Sequence, residues 1–397
     1  MKILVTDGEI RAALAIVRSL GKAGYEIHVG SADHPTLTSS SKYCNGKLTY
    51  PNPKKFNNEF IDAVEKYVKD NKIDFLIPVT DVTTLSLSKE ANRFNQFGKM
   101  PFSTYKIIES VANKAEVLKR AQSLNIPIPE TVFLGNKDQL KTINSDNFSY
   151  PIVIKPSRSR IFVNNNWHST FVTYAENKAD LEKQIQEKSN YEFPLLIQER
   201  ITGPGVGVFV CYNNGELISL FSHKRLREKP PSGGVSTLRE SIPVDSDALE
   251  YSKKLLQSYN WHGVAMVEFK RDLRDNSLRL MEINGRFWGS LQLAIDAGVN
   301  FPLITVECLC NDYVEAKFDY HVGTKTRWLL GDLDSLLIVL FKSKKNLNLP
   351  ENYRSRIKYL FDFFKINGKN SYFEIAKPGD FKPFLFELKN WLLRINL

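Results

Sequence analysis

Two carboxylates and an amide are spaced to meet on one face of a β-ribbon in the run Val264 to Gly289, VAMVEFKRDLRDNSLRLMEINGRFWG. Two alternating stretches flank a polar turn containing Arg274, Asp275 and Asn276. A hairpin closed symmetrically about Asp275 sets Glu268 opposite Glu282 and Met266 opposite Asn284. Strand side chains alternate between faces, so Glu282 and Asn284 point the same way. Such an all-oxygen cluster suits Mg²⁺, which keeps further positions for phosphate oxygens. The bland alternative is a solvent-facing strand with ordinary acids. Arg286 follows at once in Gly285-Arg286-Phe287-Trp288-Gly289, which places a guanidinium beside the cluster.

Two lysines are notable for their settings. Lys155 ends the apolar strand of Pro151-Ile152-Val153-Ile154-Lys155-Pro156, where a buried ammonium is costly unless it meets an anion. Lys114 opens a helix directly after its cap, where the helix dipole favours an anion over a cation. Taken alone, Lys114 reads as a surface residue. The strand Leu195 to Ile201 (LLIQERI) runs into Thr202-Gly203-Pro204-Gly205, and an edge backbone there can pair with an adenine edge. The run His223 to Glu228 (HKRLRE) ends a strand before the loop Pro230-Pro231-Ser232-Gly233-Gly234. Its arginines could hold carboxylate or phosphate in bidentate fashion, or simply be solvated.

These groups need rigid carriers. Over the first hundred residues, strand signals (Lys2 to Thr6, Glu26 to Gly30, Asp74 to Val79) alternate with amphipathic helices (Arg11 to Ala23, Phe56 to Val68). That order predicts a parallel sheet covered on both faces. Thr6-Asp7-Gly8 occupies the position of a nucleotide-binding turn, yet no G-x-G-x-x-G follows, which argues against a dinucleotide site. A helix from Asn113 to Leu124, capped by Asn113, stops at Ile126-Pro127-Ile128-Pro129. Beyond it strand signals dominate, predicting an α+β region with largely antiparallel sheets.

The chain has 397 residues, 25% of them charged, with a net charge of +10. From Lys317 onward there are 15 Lys/Arg against 8 Asp/Glu, a net +7. This tail is either a solvated basic surface or an attractor of an anionic lipid surface, a lipid-linked substrate or nucleic acid. No nucleic-acid-binding motif accompanies it, so no nucleic-acid partner is expected. Trp328, Leu329, Leu330, Leu333, Leu336, Leu337 and Leu340 could form a helix face packed on the rest of the chain. Alternatively the segment lies on a membrane, with Lys342, Lys344 and Lys345 near headgroups. The four cysteines, Cys44, Cys211, Cys308 and Cys310, form no C-x-x-C pair, so structural zinc is not expected. The apparent absence of a signal peptide or a spanning apolar run leads to the expectation of a cytoplasmic protein, with a membrane-peripheral one left open.

In this order, the segments NKAEVLKRAQSLNIPIPET, YPIVIKP, LLIQERITGPG, SHKRLREKPPSGG, VEFK and LMEINGRFWGS resemble the ATP-grasp superfamily, especially its carbamoyl-phosphate-synthase-like predicted carboligases. The resemblance covers about Met1 to Asn311. It implies an ATP-grasp fold, α/β plus α+β. A Rossmann-like pre-ATP-grasp domain spans 1–110, and two lobes clamping ATP span 111–316 with a boundary near 200. A mainly helical C-terminal extension covers 317–397. By position, Lys114 and Lys155 match the lysines that contact ATP phosphates, and Gln198, Glu199, Arg200 and Ile201 match the adenine hinge. Glu268, Glu282 and Asn284 match the ligands of Mg²⁺, or of Mn²⁺ in its place. Arg286 matches the arginine that stabilises the transferring phosphoryl group. Arg225 is carried over as catalytic and substrate-binding, with Arg227 and Ser290 as substrate contacts. The implied reaction joins a small-molecule carboxylate to an amine through an acyl phosphate, releasing ADP and phosphate. A carbamoyl-phosphate-type or carboxylase activity and a non-catalytic nucleotide binder are the alternatives. A lipid-linked or cell-envelope substrate and a homodimer are left open. Two departures stand out: the lid after Lys155, Ser157-Arg158-Ser159-Arg160-Ile161 and then Asn164-Asn165-Asn166, lacks glycine, and no acid for ribose follows the hinge.

Overall fold

A computed structural model describes all residues except 95, 188–192, 343–353, 366–367, 369 and 396–397. Lys344 and Lys345 therefore lie outside the described residues. The first domain is built on four parallel strands in the order Gly46–Thr49, Glu26–Ser31, Lys2–Val5, Phe75–Ile77. Helix Arg11–Lys22 buries Ala12, Ile16 and Leu20 against Ile3 and Val5 on one face of the sheet. Phe60 and Val64 of helix Asn57–Asn71 pack on Leu4 and Leu76 on the other. Sequence alternation did not reveal Gly46–Thr49, a short edge strand with one buried side chain, Leu48.

Two antiparallel sheets follow. The first has the order Thr131–Leu134, Leu195–Glu199, Ile152–Pro156, Thr173–Ala175. Leu195–Glu199 is an inner strand, so the expectation of an edge backbone there is corrected: its ladder is filled on both sides. The second has the order Glu216–Phe221, Gly205–Asn213, Gly263–Arg271, Leu278–Asn284. Helix Lys114–Ser123 packs against its Leu278–Asn284 strand. Asn113 caps that helix, its Oδ1 accepting from Ala115 N at 3.1 Å.

The basic run at 223 ends a strand before the loop 230–234, and that loop closes a hairpin. His223–Lys229 and Val235–Ser241 form an antiparallel pair, and Lys325–Arg327 and Ser371–Phe373 complete a fourth sheet beside it. The C-terminal region is helical at Leu329–Phe341, Arg356–Phe364 and Lys382–Ile395, and these two short strands weave it into the body of the molecule. Leu336 and Val339 pack on Tyr359 and Phe363, which supports the core reading of the leucine-rich helix. Buried ion pairs tie this region to the first domain: Arg18 Nε donates to Asp380 at 2.8 Å and Arg11 Nη1 to Glu374 at 2.7 Å. No described helix is long and apolar enough to cross a membrane.

Candidate active site

The paired strands Gly263–Arg271 and Leu278–Asn284 set Glu268 opposite Glu282 and Met266 opposite Asn284. Val267, Phe269 and Ile283 turn into the core, so the alternate residues face the cleft. The closure is not symmetric about Asp275. Arg271 pairs with Leu278 and Lys270 with Arg279, and the extra residue Met281 is bulged out, which restores the Glu268–Glu282 pairing. Asn284 Nδ2 donates to Glu282 Oε1 at 3.2 Å and lies 3.5 Å from Glu268 Oε1. Burial, and then the charge of Glu282, pushes the Glu268 carboxyl above its ordinary value. Burial acts on Glu282 in the same direction, but Lys114, Asn284 and Lys155 outweigh it and hold that carboxyl below its ordinary value. Two carboxylates whose mutual repulsion is only partly offset fit a divalent cation. A cation between them would need Asn284 to turn its Oδ1 inward, a half-turn of the amide.

Both sequence-chosen lysines converge here. Lys114 Nζ lies 3.1 Å from Glu282 Oε2 and donates to Ser159 Oγ at 2.8 Å, so Lys114 is not a bystander on the surface. Its backbone N donates to Ser157 O at 2.7 Å, which locks the helix start onto the strand that carries Lys155. Lys155 is buried, and no ion pair of its ammonium is found among the described residues. Burial, reinforced by the charge of Lys114, depresses its pKa to about 8, while Glu282 partly opposes that shift. A buried lysine with no ion pair among the described residues, near the Glu282 carboxylate and a second lysine, is suited to an anionic ligand.

Arg286 lies next to the cluster because Gly285 brings the chain close to a buried ring. A Cβ on Gly285 would stand 2.6 Å from Trp261 Cη2. The Arg286 guanidinium is held by a first-domain residue that the sequence did not single out: Nε and Nη2 donate to the two oxygens of Asp81 at 2.6 and 3.0 Å. Nη2 also donates to Asn284 Oδ1 at 3.3 Å, and Nη1 to Phe287 O at 3.0 Å. Asp81 in turn begins helix Asp81–Lys89, whose start is gripped by Asp7: its Oδ2 accepts from Val79 N and Thr80 N at 3.1 Å and from Thr83 Oγ1 at 2.6 Å. The Thr6-Asp7-Gly8 turn is thus used inside the protein. The Thr80 cap before Asp81 was a readable helix start, but nothing local pointed to Arg286.

The hinge residues divide. Gln198 is buried, and its Nε2 donates to Thr131 Oγ1 at 2.7 Å. Glu199 accepts from Glu130 N at 2.9 Å and from Arg274 Nη2 at 2.6 Å. Arg200 lies over the Tyr174 ring at 5.6 Å. Ile201 O accepts from Lys270 Nζ at 3.0 Å, a second residue the sequence did not single out. Lys270 stands two positions beyond Glu268, on the same face.

Arg225 is half-exposed at the rim, with Nη1 donating to Glu228 Oε1 at 3.1 Å, and its charge is felt by Glu268. Arg227 does not join it. The pairing slips between the two arginines, and Arg227 is buried in a bidentate pair with Asp332, Nε and Nη2 donating at 2.7 and 2.6 Å. The expectation that Arg227 contacts substrate is therefore corrected: its guanidinium is committed to the C-terminal region. Ser290 is buried, and its hydroxyl lies 2.7 Å from His223 Nε2.

A family model described as ATP-grasp in the biosynthetic pathway with Ter operon matches residues 192–329. A D-aspartate ligase from Enterococcus faecium is 19% identical over 310 residues, covering 75% of this chain and 73% of that protein. Residues 192–329 thus carry an ATP-grasp family domain, in a chain whose relatives are ligases. A D-alanine–D-alanine ligase from Carboxydothermus hydrogenoformans is 22% identical over 292 residues, 69% of this chain and 82% of the other. The fold also matches a solved biotin carboxylase from Campylobacter jejuni, with a TM-score of 0.63 and 15% identity over 82% of this chain and 74% of that one.

Proposed function

We propose that this ATP-grasp ligase joins a small-molecule carboxylate to an amine, with an amino acid or its derivative as one partner. The observation that carries the reading is the convergence of Lys114, Lys155 and Arg286 on the paired acids Glu268 and Glu282, at the boundary with the first domain. The names of the two curated relatives support an amino-acid substrate.

A carboxylate oxygen of the substrate attacks the γ-phosphorus of ATP. The bond from that phosphorus to the β–γ bridging oxygen breaks, and ADP leaves with the electron pair. Lys155 and Lys114 neutralise phosphate oxygens, and the Arg286 guanidinium stabilises the transferring group. The amine then attacks the acyl carbon, phosphate departs, and the amine loses its proton. Mg²⁺ held by Glu268, Glu282 and Asn284 would offset phosphate charge. Gln198 to Ile201 would border the adenine, and Arg225 and Ser290 the substrate.

The test is ADP release against a panel of carboxylates paired with amines, with mass spectrometry of the product. An amide product supports the reading. ADP release that needs only bicarbonate and an amine, with a carbamate product, supports the carboxylase alternative. Nucleotide binding without turnover across the panel supports a non-catalytic binder.

For location, we propose contact with a cell-envelope substrate at the membrane face. Exposed Phe341, Ile357, Phe361 and Phe364 in the net-basic C-terminal region support it. Protein that stays wholly in the unbound fraction on flotation with anionic liposomes removes that reading.

A further inference from the structure

No glycine lies between Ser157 and Ser169, so a loop that cradles phosphate through close backbone approach is disfavoured there. The stretch folds instead into a hairpin, Arg160–Val163 against Asn166–Ser169. Its turn places Asn164 and Asn165 at φ +49° and +63°, the left-handed pair of a type I′ turn, where asparagine is well tolerated. Among the described residues, the hairpin pairs with none of the larger sheets. A two-stranded ribbon is marginal by itself, so its position depends on what it docks against.

Trp167 does the docking. Its backbone N donates to Lys54 O at 2.8 Å, and its indole Nε1 donates to Asn57 Oδ1 and Ser86 Oγ, both at 3.1 Å. The Phe162 ring lies 5.1 Å from the indole, and the Lys89 ammonium 5.8 Å from the Phe162 ring. At the base, Thr170 Oγ1 donates to Arg158 O at 2.6 Å, and Lys114 Nζ reaches Ser159 Oγ.

This anchoring carries Arg160 to the wall between two cavities. One, of about 370 Å³, is lined by Arg286 and Gly289 together with Glu9 and Lys54 of the first domain. The other is lined by Lys114, Glu282 and Asn284. Arg160 and Asp81 line both. Arg160 therefore borders both the lysine–carboxylate cavity and the cavity lined by Arg286.

We propose that Arg160, set by a lid hairpin latched through Trp167, binds the terminal phosphoryl group of ATP with its side chain, in place of backbone amides. The inference rests on the ligase reading and assigns the lid contacts of that same site.

The test is calorimetric binding of MgAMPPNP and MgADP to the full chain. Arg160→Gln should weaken MgAMPPNP roughly ten- to hundred-fold, the effect of losing a charge-assisted hydrogen bond, and leave MgADP unchanged. Trp167→Phe, which keeps the ring and loses the indole donor, should show the same selective loss at smaller size, with an unchanged unfolding midpoint. Arg160→Lys should recover part of the affinity. Equal weakening of both nucleotides, or no weakening of either, overturns the proposal. Wild-type protein that binds neither nucleotide overturns the nucleotide site itself, and this inference with it.

Discussion

Glu268 and Glu282 oppose each other because two offsets cancel. The loop closes with Asp272 N donating to Ser277 O at 2.8 Å, a register that by itself would set Glu268 against Met281. Met281 is bulged, the pairing moves by one residue, and Glu282 takes the place opposite Glu268. A one-residue slip would otherwise have turned Glu282 to the core side of the sheet.

That relationship makes Glu282 the sharpest test of the site. Glu282→Ala should lower ADP release by on the order of 10²–10³-fold, the range seen when a preorganised charge contact is lost. The unfolding midpoint should hold, because the side chain faces the cleft. Retained turnover in a folded variant would remove the metal assignment.

Lys155 should give the site a pH signature. Burial and Lys114 depress its pKa from 10.5 to about 8. Between those values the unfolded chain binds more protons than the folded one, so this group's contribution to stability rises with pH across the window. The penalty of the buried charge is fully present below about 8. Nucleotide binding runs the other way, since the charged form attracts phosphate. MgAMPPNP affinity should fall above about pH 8 in wild-type protein, and the fall should flatten in Lys155→Arg, which stays protonated. A titration from neutral to alkaline pH decides it.

Arg227 should matter for folding and not for substrate. Asp332 is fully buried, receives Arg227 in bidentate fashion, and also accepts from Arg327 Nε at 2.6 Å and Thr237 Oγ1 at 3.1 Å. Asp332→Ala leaves two guanidinium groups uncompensated and should cost about 3–5 kcal/mol in denaturant unfolding. Arg227→Met keeps much of the packing and should cost less, with substrate KM within about threefold of wild type. A large rise in KM would return Arg227 to the substrate site.

Glu374 should act as a strap between distant parts of the chain. It is buried and accepts from Arg11 and from the fully buried Arg239, whose Nη1 donates to Gly289 O at 3.1 Å. Glu374→Ala should lower unfolding free energy by about 3–5 kcal/mol. A buried pair is poorly screened, so 1 M salt should not reproduce the loss in wild-type protein. A small, salt-sensitive effect would make the strap a surface pair.

Much of the active face was legible because its signals are short-range. Alternation along 264–284 put Glu268, Glu282 and Asn284 on one side, and the Asn113 cap placed Lys114 at a helix start. The apolar run before Lys155 marked a buried ammonium. Arg227 misled for a related reason: two arginines two apart share a face on a regular strand, and the irregular pairing after Arg225 breaks that rule. The lid was equally opaque. Asn164-Asn165 is a good type I′ pair, but it sits between strands too short and too exposed to alternate clearly.

From residue order alone came the local periodicities: which segments are strands or helices, and which side chains share a face, since these depend on neighbours two to four positions away. Packing settled the choice of partners. Asp81 meets Arg286 across 205 positions, and Glu374 meets Arg239 across 135. An ion pair depends on distance in space, and no propensity or spacing rule extends so far along a chain.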